Sequence, residues 1–235
     1  SSRVYSIAAL AGLPVEEHRG AFRLAAGRAA TPGVSDAGLA EDFPTTPPIS
    51  LYGASKLASE VMALEYGAAF GFPVWIDRCG VLAGAGQFGR ADQGIFAFWV
   101  NSYLRGRPLR YLGFGGSGLQ TRDAFHPRDL LTLLAAQMAA PQADPRPRVL
   151  NLGGGLDNAM SLAQLSAWCA ERYGRRDVAS VAETRTFDVP WVVMDSRRAA
   201  DDWGWRVATP LSTILEEIAR HGEAHDDWLD LSAPF

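Results

Sequence analysis

Residues 50–56 read Ser-Leu-Tyr-Gly-Ala-Ser-Lys and set Tyr52 and Lys56 four positions apart. In a helix this spacing places both side chains on one face, one turn from each other. Apolar residues recur at helical intervals up to Gly71, so we predict a helix over residues 52–71. An ammonium group beside a phenol favours the phenolate and lowers its pKa, so the pair suits proton transfer to and from an alcohol or ketone. The alternative without a function is an ordinary exposed lysine beside a half-buried tyrosine.

Four further segments follow one another along nearly the whole chain in a recognisable order. They are residues 1–5 (SSRVY), 78–84 (RCGVLAG), 122–130 (RDAFHPRDL) and 185–190 (RTFDVP). Together with the Tyr–Lys pair they resemble the extended short-chain dehydrogenase/reductases, which include the NAD-dependent epimerases and dehydratases of sugar nucleotides. Each segment is weak evidence alone, and the ordered set is specific.

The resemblance implies an α/β fold: a Rossmann-like, doubly wound parallel sheet with a small C-terminal α/β substrate-binding part. We assign residues 1–112 to the C-terminal half of the NAD-binding domain, with an interleaved substrate loop at 80–94. Residues 113–235 are assigned mostly to the substrate-binding part, with 120–152 returning to the sheet. The sequence contains no strand followed by G-x-x-G-x-x-G, the turn that cradles a dinucleotide pyrophosphate. We therefore expect an N-terminally truncated fragment of a longer enzyme.

Local patterns predict the remaining elements. Residues 1–5 resemble the end of a strand, and residues 6–50 form a long connection rich in Ala, Gly and Pro. Apolar runs predict strands at 74–76, 109–112 and 149–152, and helical periodicity predicts helices at 95–104, 127–138, 161–173, 196–203 and 211–221. The last residues are expected to be a frayed tail.

The family resemblance implies a catalytic triad of Ser1, Tyr52 and Lys56. Tyr52 would move the hydroxyl proton, Ser1 would hydrogen-bond the reacting oxygen, and Lys56 would bind the nicotinamide ribose and tune Tyr52. The implied cofactor is NAD, contacted by Tyr52, Lys56 and Arg78, while the choice between NAD and NADP stays open. For Arg78 the alternative is a structural tie between its strand end and a neighbouring loop.

The loop at residues 87–94 reads QFGRADQG and resembles the corresponding segment of the CDP-paratose 2-epimerases. This implies a nucleotide-diphosphate sugar as substrate, contacted by Gln87, Phe88 and Gln93. The alternative for both glutamines is hydrogen bonding to the loop backbone. Small or apolar residues stand at Val81, Ala83 and Gly86, where relatives carry polar or bulky ones, so the sugar and its nucleotide stay open.

Two arginines are candidates for binding the substrate diphosphate. A guanidinium pairs with phosphate through two parallel hydrogen bonds. Arg122 and Arg185 lie in segments that resemble the family, each with an aspartate near by. We predict that both arginines and Asp188 contact the substrate; the alternative for the arginines is a surface ion pair. His126 is interpreted as a buried structural residue.

The reaction class follows from the residues at the triad. Dehydratases of this family need an additional acid and base, and their relatives show Thr-Asp-Glu where this chain has Ser1-Ser2-Arg3. We therefore favour an epimerase that works through a transient ketone, similar to a CDP-hexose 2-epimerase. The alternatives are a nucleotide-sugar reductase or dehydrogenase of the same family and a non-catalytic NAD-binding module.

Composition excludes several other classes of protein. The chain has 235 residues, 48% of them hydrophobic, with a net charge of −4 and dispersed basic residues, which is not a nucleic-acid-binding pattern. Four scattered histidines provide no metal-ligand spacing, and two distant cysteines predict no disulfide. No apolar run is long enough for a bilayer and no signal peptide is evident, so we expect a cytoplasmic protein that does not bind membranes. A homo-oligomer stays open.

Overall fold

The computed structural model describes residues 1–27, 30–90, 93–181 and 188–228. Its helices are α1 (Ile7–Ala11), α2 (Ser50–Phe70), α3 (Ile95–Leu104), α4 (Leu130–Ala139), α5 (Leu162–Tyr173), α6 (Arg197–Trp203) and α7 (Leu211–Ala224). Its strands are β1 (Val15–His18), β2 (Ala21–Leu24), β3 (Ile76–Cys79), β4 (Val81–Leu82), β5 (Arg110–Leu112), β6 (Thr121–Phe125), β7 (Val149–Leu152), β8 (Ala159–Ser161), β9 (Ala179–Val181) and β10 (Trp191–Val192).

Helix α2 is the 21-residue helix that carries the Tyr–Lys pair. It begins two residues before the predicted start, and the Ser50 hydroxyl accepts a hydrogen bond from the Gly53 N–H in its first turn. It ends at Gly71, which has a left-handed backbone with φ of 71° and donates its N–H to the Gly67 carbonyl. The predicted helix is therefore confirmed, with both ends explained by local hydrogen bonds.

Two predictions for the N-terminal segment are wrong. Residues 2–4 form a 3₁₀ turn instead of the end of a strand, because the Ser1 hydroxyl accepts the Arg3 N–H at 3.2 Å and caps the turn. The long connection predicted over residues 6–50 contains α1 and an antiparallel hairpin of β1 with β2. Arg19 and Gly20 turn this hairpin with φ of 50° and 76°, a conformation that a pattern search for Asn-Gly or Gly-Gly does not find.

Parallel strand pairs dominate the sheets, as the fold class requires. Strand β3 pairs in parallel with β7, and β5 with β9. Strand β6 lies between β10 and β4, parallel to both, and also pairs with β8 in antiparallel orientation. The predicted mixed α/β fold with parallel strands is confirmed.

Three of the helices after residue 94 share one apolar core. Helices α3, α5 and α7 pack around Trp99, Leu165 and Ile214, all of them buried. A second core joins the turn at residues 2–4 to β10 through Val4 and Trp191. Helix α3 thus packs with elements on the other side of the proposed boundary at residue 112, and the domain division stays a prediction.

Within the described ranges, no helix combines the length and the apolarity needed to cross a membrane. The same residues contain no group of three or more His, Cys, Asp or Glu side chains that could hold a metal ion. Both cysteines are free thiols, and burial raises the pKa of Cys79 to about 11 and that of Cys169 to about 12. Both thiols are therefore protonated at neutral pH.

Candidate active site

The first turn of α2 packs directly on the turn that contains Ser1. A Cβ atom placed on Gly53 would overlap the carbonyl oxygen of Arg3, so only glycine permits this approach without a shift of the backbone. The contact brings the helix end that carries Tyr52 to the segment that carries Ser1. Residues far apart in the chain therefore share one end of α2, as the triad requires.

Tyr52 and Lys56 lie on the exposed side of α2. The phenol is 52% exposed, and the Lys56 Nζ lies 5.6 Å from the centre of the tyrosine ring. This distance is within the range in which a cation interacts favourably with an aromatic face. The prediction that Tyr52 and Lys56 lie one turn apart on the same helical face is confirmed, and both side chains are exposed. Their catalytic roles stay predictions.

Arg78 contacts a buried part of the α2 surface. Its Nε and Nη2 contact the Glu60 carboxylate at 3.1 and 2.8 Å, and the two side chains are only 9% and 10% exposed. A further nitrogen donates to the Glu41 carbonyl at 3.2 Å. Burial acts to lower the pKa of Arg78, but the hydrogen bonds and charge of Glu60 outweigh it and raise the pKa above its ordinary value. The structural tie considered for Arg78 is thus present, and its contact with a cofactor stays a prediction.

Glu60 is a residue that the sequence reasoning missed. It follows Lys56 by four positions, yet it faces inward, and its carboxylate fixes the rotation of α2 through the ion pair with Arg78. A glutamate on the apolar side of the predicted helix is the signal that could have identified it. An unpaired charge there would be costly, so a buried partner was required.

A cavity of about 310 Å³ opens at the carboxyl ends of β4 and β6, where ligands bind in open α/β sheets. Its lining is Leu82, Ala83, Gly84, Ala85, Gly86, Gln87, His126 and Pro127. Gln87 donates its Nε2 hydrogen to the Leu82 carbonyl at 2.7 Å. Its Oε1 is buried, and no hydrogen-bond partner for it occurs in the described part of the chain. Gln87 therefore lines the cavity with an amide whose oxygen has no partner among the described residues.

The rest of the predicted substrate loop is held by backbone contacts. A Cβ on Gly89 would overlap the backbone of Phe98 in α3, so the loop lies flat against that helix. The Arg90 N–H donates to the Gln93 carbonyl at 2.6 Å. Phe88 is 55% exposed and stacks on Trp228 with ring centres 4.7 Å apart. Substrate contacts by Gln87, Phe88 and Gln93 stay predictions.

Arg122 is a partly buried residue of β6, in register with Val192 of β10. It donates to the carbonyls of Thr121 at 2.7 Å and Val189 at 2.9 Å. Burial lowers the pKa of Arg122 to about 10, the charge of Asp188 opposes this, and that of Arg3 adds to it. The contact of Arg122 and Asp188 with a diphosphate stays a prediction. Arg185 lies outside the described residues.

Asp123 in β6 and His126 just after it serve as structural groups. Asp123 accepts N–H bonds from Gly155 at 3.1 Å and Met194 at 3.2 Å, and burial raises its pKa to about 7. The His126 Nδ1 accepts the Arg128 N–H at 3.0 Å, which starts the turn before α4. This contact agrees with the structural role predicted for the histidine.

Residues 25–153 match the NAD dependent epimerase/dehydratase family, and the chain belongs to this family. It is 30% identical over 188 residues to a UDP-glucose 4-epimerase of Corynebacterium glutamicum, an alignment that covers 76% of this chain and 56% of that protein. It is also 30% identical over 118 residues to the CDP-paratose 2-epimerase of Salmonella typhi, which covers 49% of this chain and 35% of that protein. The chain therefore spans about half of the first relative's length and about a third of the second's.

The solved structures support the same fold. MoeE5 in complex with UDP-glucose and NAD superposes with a TM-score of 0.67 and 29% sequence identity, covering 82% of this chain and 61% of that chain. The match includes most of the described elements, so the arrangement of strands and helices is that of the family. The predicted family membership is confirmed.

Proposed function

We propose that this chain is part of an NAD-dependent nucleotide-sugar epimerase that inverts a sugar carbon through a transient ketone. The observation that supports the proposal is that Tyr52 and Lys56 lie together on an exposed side of α2, whose first turn packs at Gly53 against the Arg3 carbonyl of the turn that begins at Ser1. The cavity beside Gln87 would accept part of the sugar nucleotide.

NAD would contact Tyr52 and Lys56, which fit such a role because both polar groups are exposed on one side of α2. Bound NAD would supply the acceptor, and then the donor, of the hydride at the sugar carbon. Tyr52 would remove the proton of the sugar hydroxyl and later restore it, while Ser1 donates a hydrogen bond to the same oxygen. Lys56 would favour the phenolate by its positive charge.

The finer assignment that we propose is a CDP-hexose 2-epimerase. It is supported by the QFGxxDQG pattern at residues 87–94, the similarity to the Salmonella typhi enzyme, and the absence of a carboxylate at Ser2 and Arg3. UDP-glucose 4-epimerases are also among the relatives, so UDP-sugars are the alternative class of substrate.

The experiment incubates the full-length enzyme with CDP-, UDP- and GDP-sugars in heavy water. Mass spectrometry reads the product, and absorbance reads the reduced cofactor. An epimerase that returns the same hydride yields an inverted product without solvent deuterium at the inverted carbon. Stoichiometric cofactor consumption would instead indicate a reductase or dehydrogenase, and deuterium at the inverted carbon would reject the hydride route.

Two tyrosines on α2 provide a matched pair of variants. Tyr52→Phe removes the proposed proton carrier, so turnover should fall by about 10²–10⁴. Tyr66→Phe removes a hydroxyl from the same helix at nearly the same exposure, 55% against 52%, and should leave turnover unchanged. Near-normal turnover in Tyr52→Phe would contradict the triad assignment.

A further inference from the structure

The segment after α7 turns back onto the candidate substrate loop. The Trp228 indole N–H donates to the Gln87 carbonyl at 2.9 Å. Its ring lies parallel to that of Phe88, with an angle of 6° between the planes. On another side the Trp228 ring meets His221 edge to face, with centres 4.4 Å apart. The segment that ends at Trp228 is therefore packed on the loop, and the last residues, predicted to be a frayed tail, lie outside the described residues.

The turn that carries Trp228 is itself fixed to α3. Arg105, which follows α3, pairs with Asp226 at 3.0 Å and also donates to the carbonyls of Gly222 and His225. The main-chain N–H of Trp228 donates to the His225 carbonyl at 3.2 Å. Gly89 of the loop rests on the backbone of the same α3 helix. The loop and the turn at residues 225–228 are therefore both held by α3 and the residue that follows it, and Trp228 contacts the loop directly.

Gln87 is held by hydrogen bonds through both its main chain and its side chain. Trp228 holds its main-chain carbonyl, and the Leu82 carbonyl holds its Nε2. The amide is thereby oriented, and Oε1 is left as an acceptor without a partner in the described ranges, at a residue that lines the cavity. A ligand in the cavity would donate a hydrogen bond from a hydroxyl group to this oxygen.

We propose that Trp228 is a positioning residue for substrate binding: it fixes Gln87 and Phe88 so that Gln87 Oε1 can accept a hydroxyl hydrogen from the nucleotide sugar. The inference rests on the proposed function, because it takes the loop to bind that sugar. Preorganising a loop removes the cost of ordering it when the ligand binds. The role therefore affects KM more than kcat, because the contacts of Trp228 described above are with Gln87 and Phe88 of the loop and with His221 and His225 at the end of α7.

The test compares Trp228→Ala and Trp228→Phe with Trp168→Ala. The phenylalanine variant keeps an aromatic face for Phe88 but loses the N–H donor. Trp168 is another partly buried tryptophan, which packs against the core of α3, α5 and α7. It controls for general loss of packing.

Hydrogen exchange of the amides at residues 87–90, measured without ligand, reports the order of the loop. We expect exchange about 10-fold faster in Trp228→Ala, an intermediate rate in Trp228→Phe and the wild-type rate in Trp168→Ala. With CDP-glucose and UDP-glucose as probes, KM should rise about 10-fold in Trp228→Ala while kcat changes less than twofold.

The two readouts separate the inference from the function on which it rests. Unchanged exchange at residues 87–90 in Trp228→Ala would overturn the positioning role, as would an unchanged KM in an active enzyme. If the wild type converts no nucleotide sugar while the exchange still accelerates, the proposed function fails and Trp228 is confirmed as the residue that orders the loop.

Discussion

Glu60→Ala is the substitution with the largest expected effect on stability. It removes the carboxylate that contacts Arg78 at 2.8 and 3.1 Å and leaves the guanidinium in a site where the side chain is only 9% exposed. The remaining partners of Arg78 are a carbonyl at 3.2 Å and the Tyr5 hydroxyl at 3.5 Å, neither of them charged at neutral pH. The variant thus buries an uncompensated positive charge.

The magnitude follows from the burial of both groups. Removing one partner of a buried ion pair costs about 3–5 kcal/mol, while a folded domain is stable by about 5–15 kcal/mol. For a domain of this size, each kcal/mol lowers the melting temperature by roughly 2–4 °C. We therefore expect Glu60→Ala to lose about a fifth or more of the unfolding free energy and to melt roughly 6–20 °C below the wild type.

The assay is urea unfolding followed by tryptophan fluorescence, with thermal melts as a second measure. Glu65→Ala, an exposed glutamate on the same helix, is the matched control and should change the unfolding free energy by less than about 0.5 kcal/mol. In the double variant Glu60→Ala/Arg78→Ala the loss should be smaller than the sum of the single losses, because the unpaired charge is gone. Additive losses, or a change below about 1 kcal/mol in Glu60→Ala, would refute the assignment of a buried pair.

Three further outcomes are expected. Burial raises the pKa of Asp123 to about 7, so its contribution to stability is full below the unfolded pKa near 4 and is lost as the pH rises through 7. The unfolding free energy of the wild type relative to Asp123→Asn should therefore fall by about 2 kcal/mol between pH 5 and 8, and a difference that is constant with pH would contradict this. Gly53→Val should lower kcat at least 10-fold while the circular dichroism spectrum stays native, because the added atoms push α2 away from Arg3; unchanged kcat would show that this contact does not set the triad. Residues 1–235 alone should bind NAD weakly, since the glycine-rich turn is absent from this sequence, and sub-micromolar affinity by calorimetry would reject that expectation.

Local sequence signals predicted the helices whose first or last turn is fixed by hydrogen bonds between residues close in the chain. Helix α5 is an example: Ser161 caps it, and the Gln164 side chain reciprocates, a pairing encoded within four residues. Helix α3 also matches its predicted range. The hairpin of β1 and β2 was missed because its turn, at Arg19 and Gly20, lacks the usual residues.

In the candidate site, too, some features follow from neighbouring residues in the chain and others from packing. The spacing of Tyr52 and Lys56 already placed them on one helical face, and the ordered segments already indicated the family. These properties depend on neighbours in the chain, so the sequence by itself determined them.

Only the tertiary structure decided which partners those residues have. Arg78 pairs with Glu60, eighteen positions away, and Trp228 holds Gln87 across 141 positions. Gly53 matters because Arg3 happens to lie against it. Such contacts arise where separate elements pack together, and no local periodicity encodes them. The sequence therefore determined the helices and the family, while packing determined how α2 is held and which residue contacts the loop at Gln87.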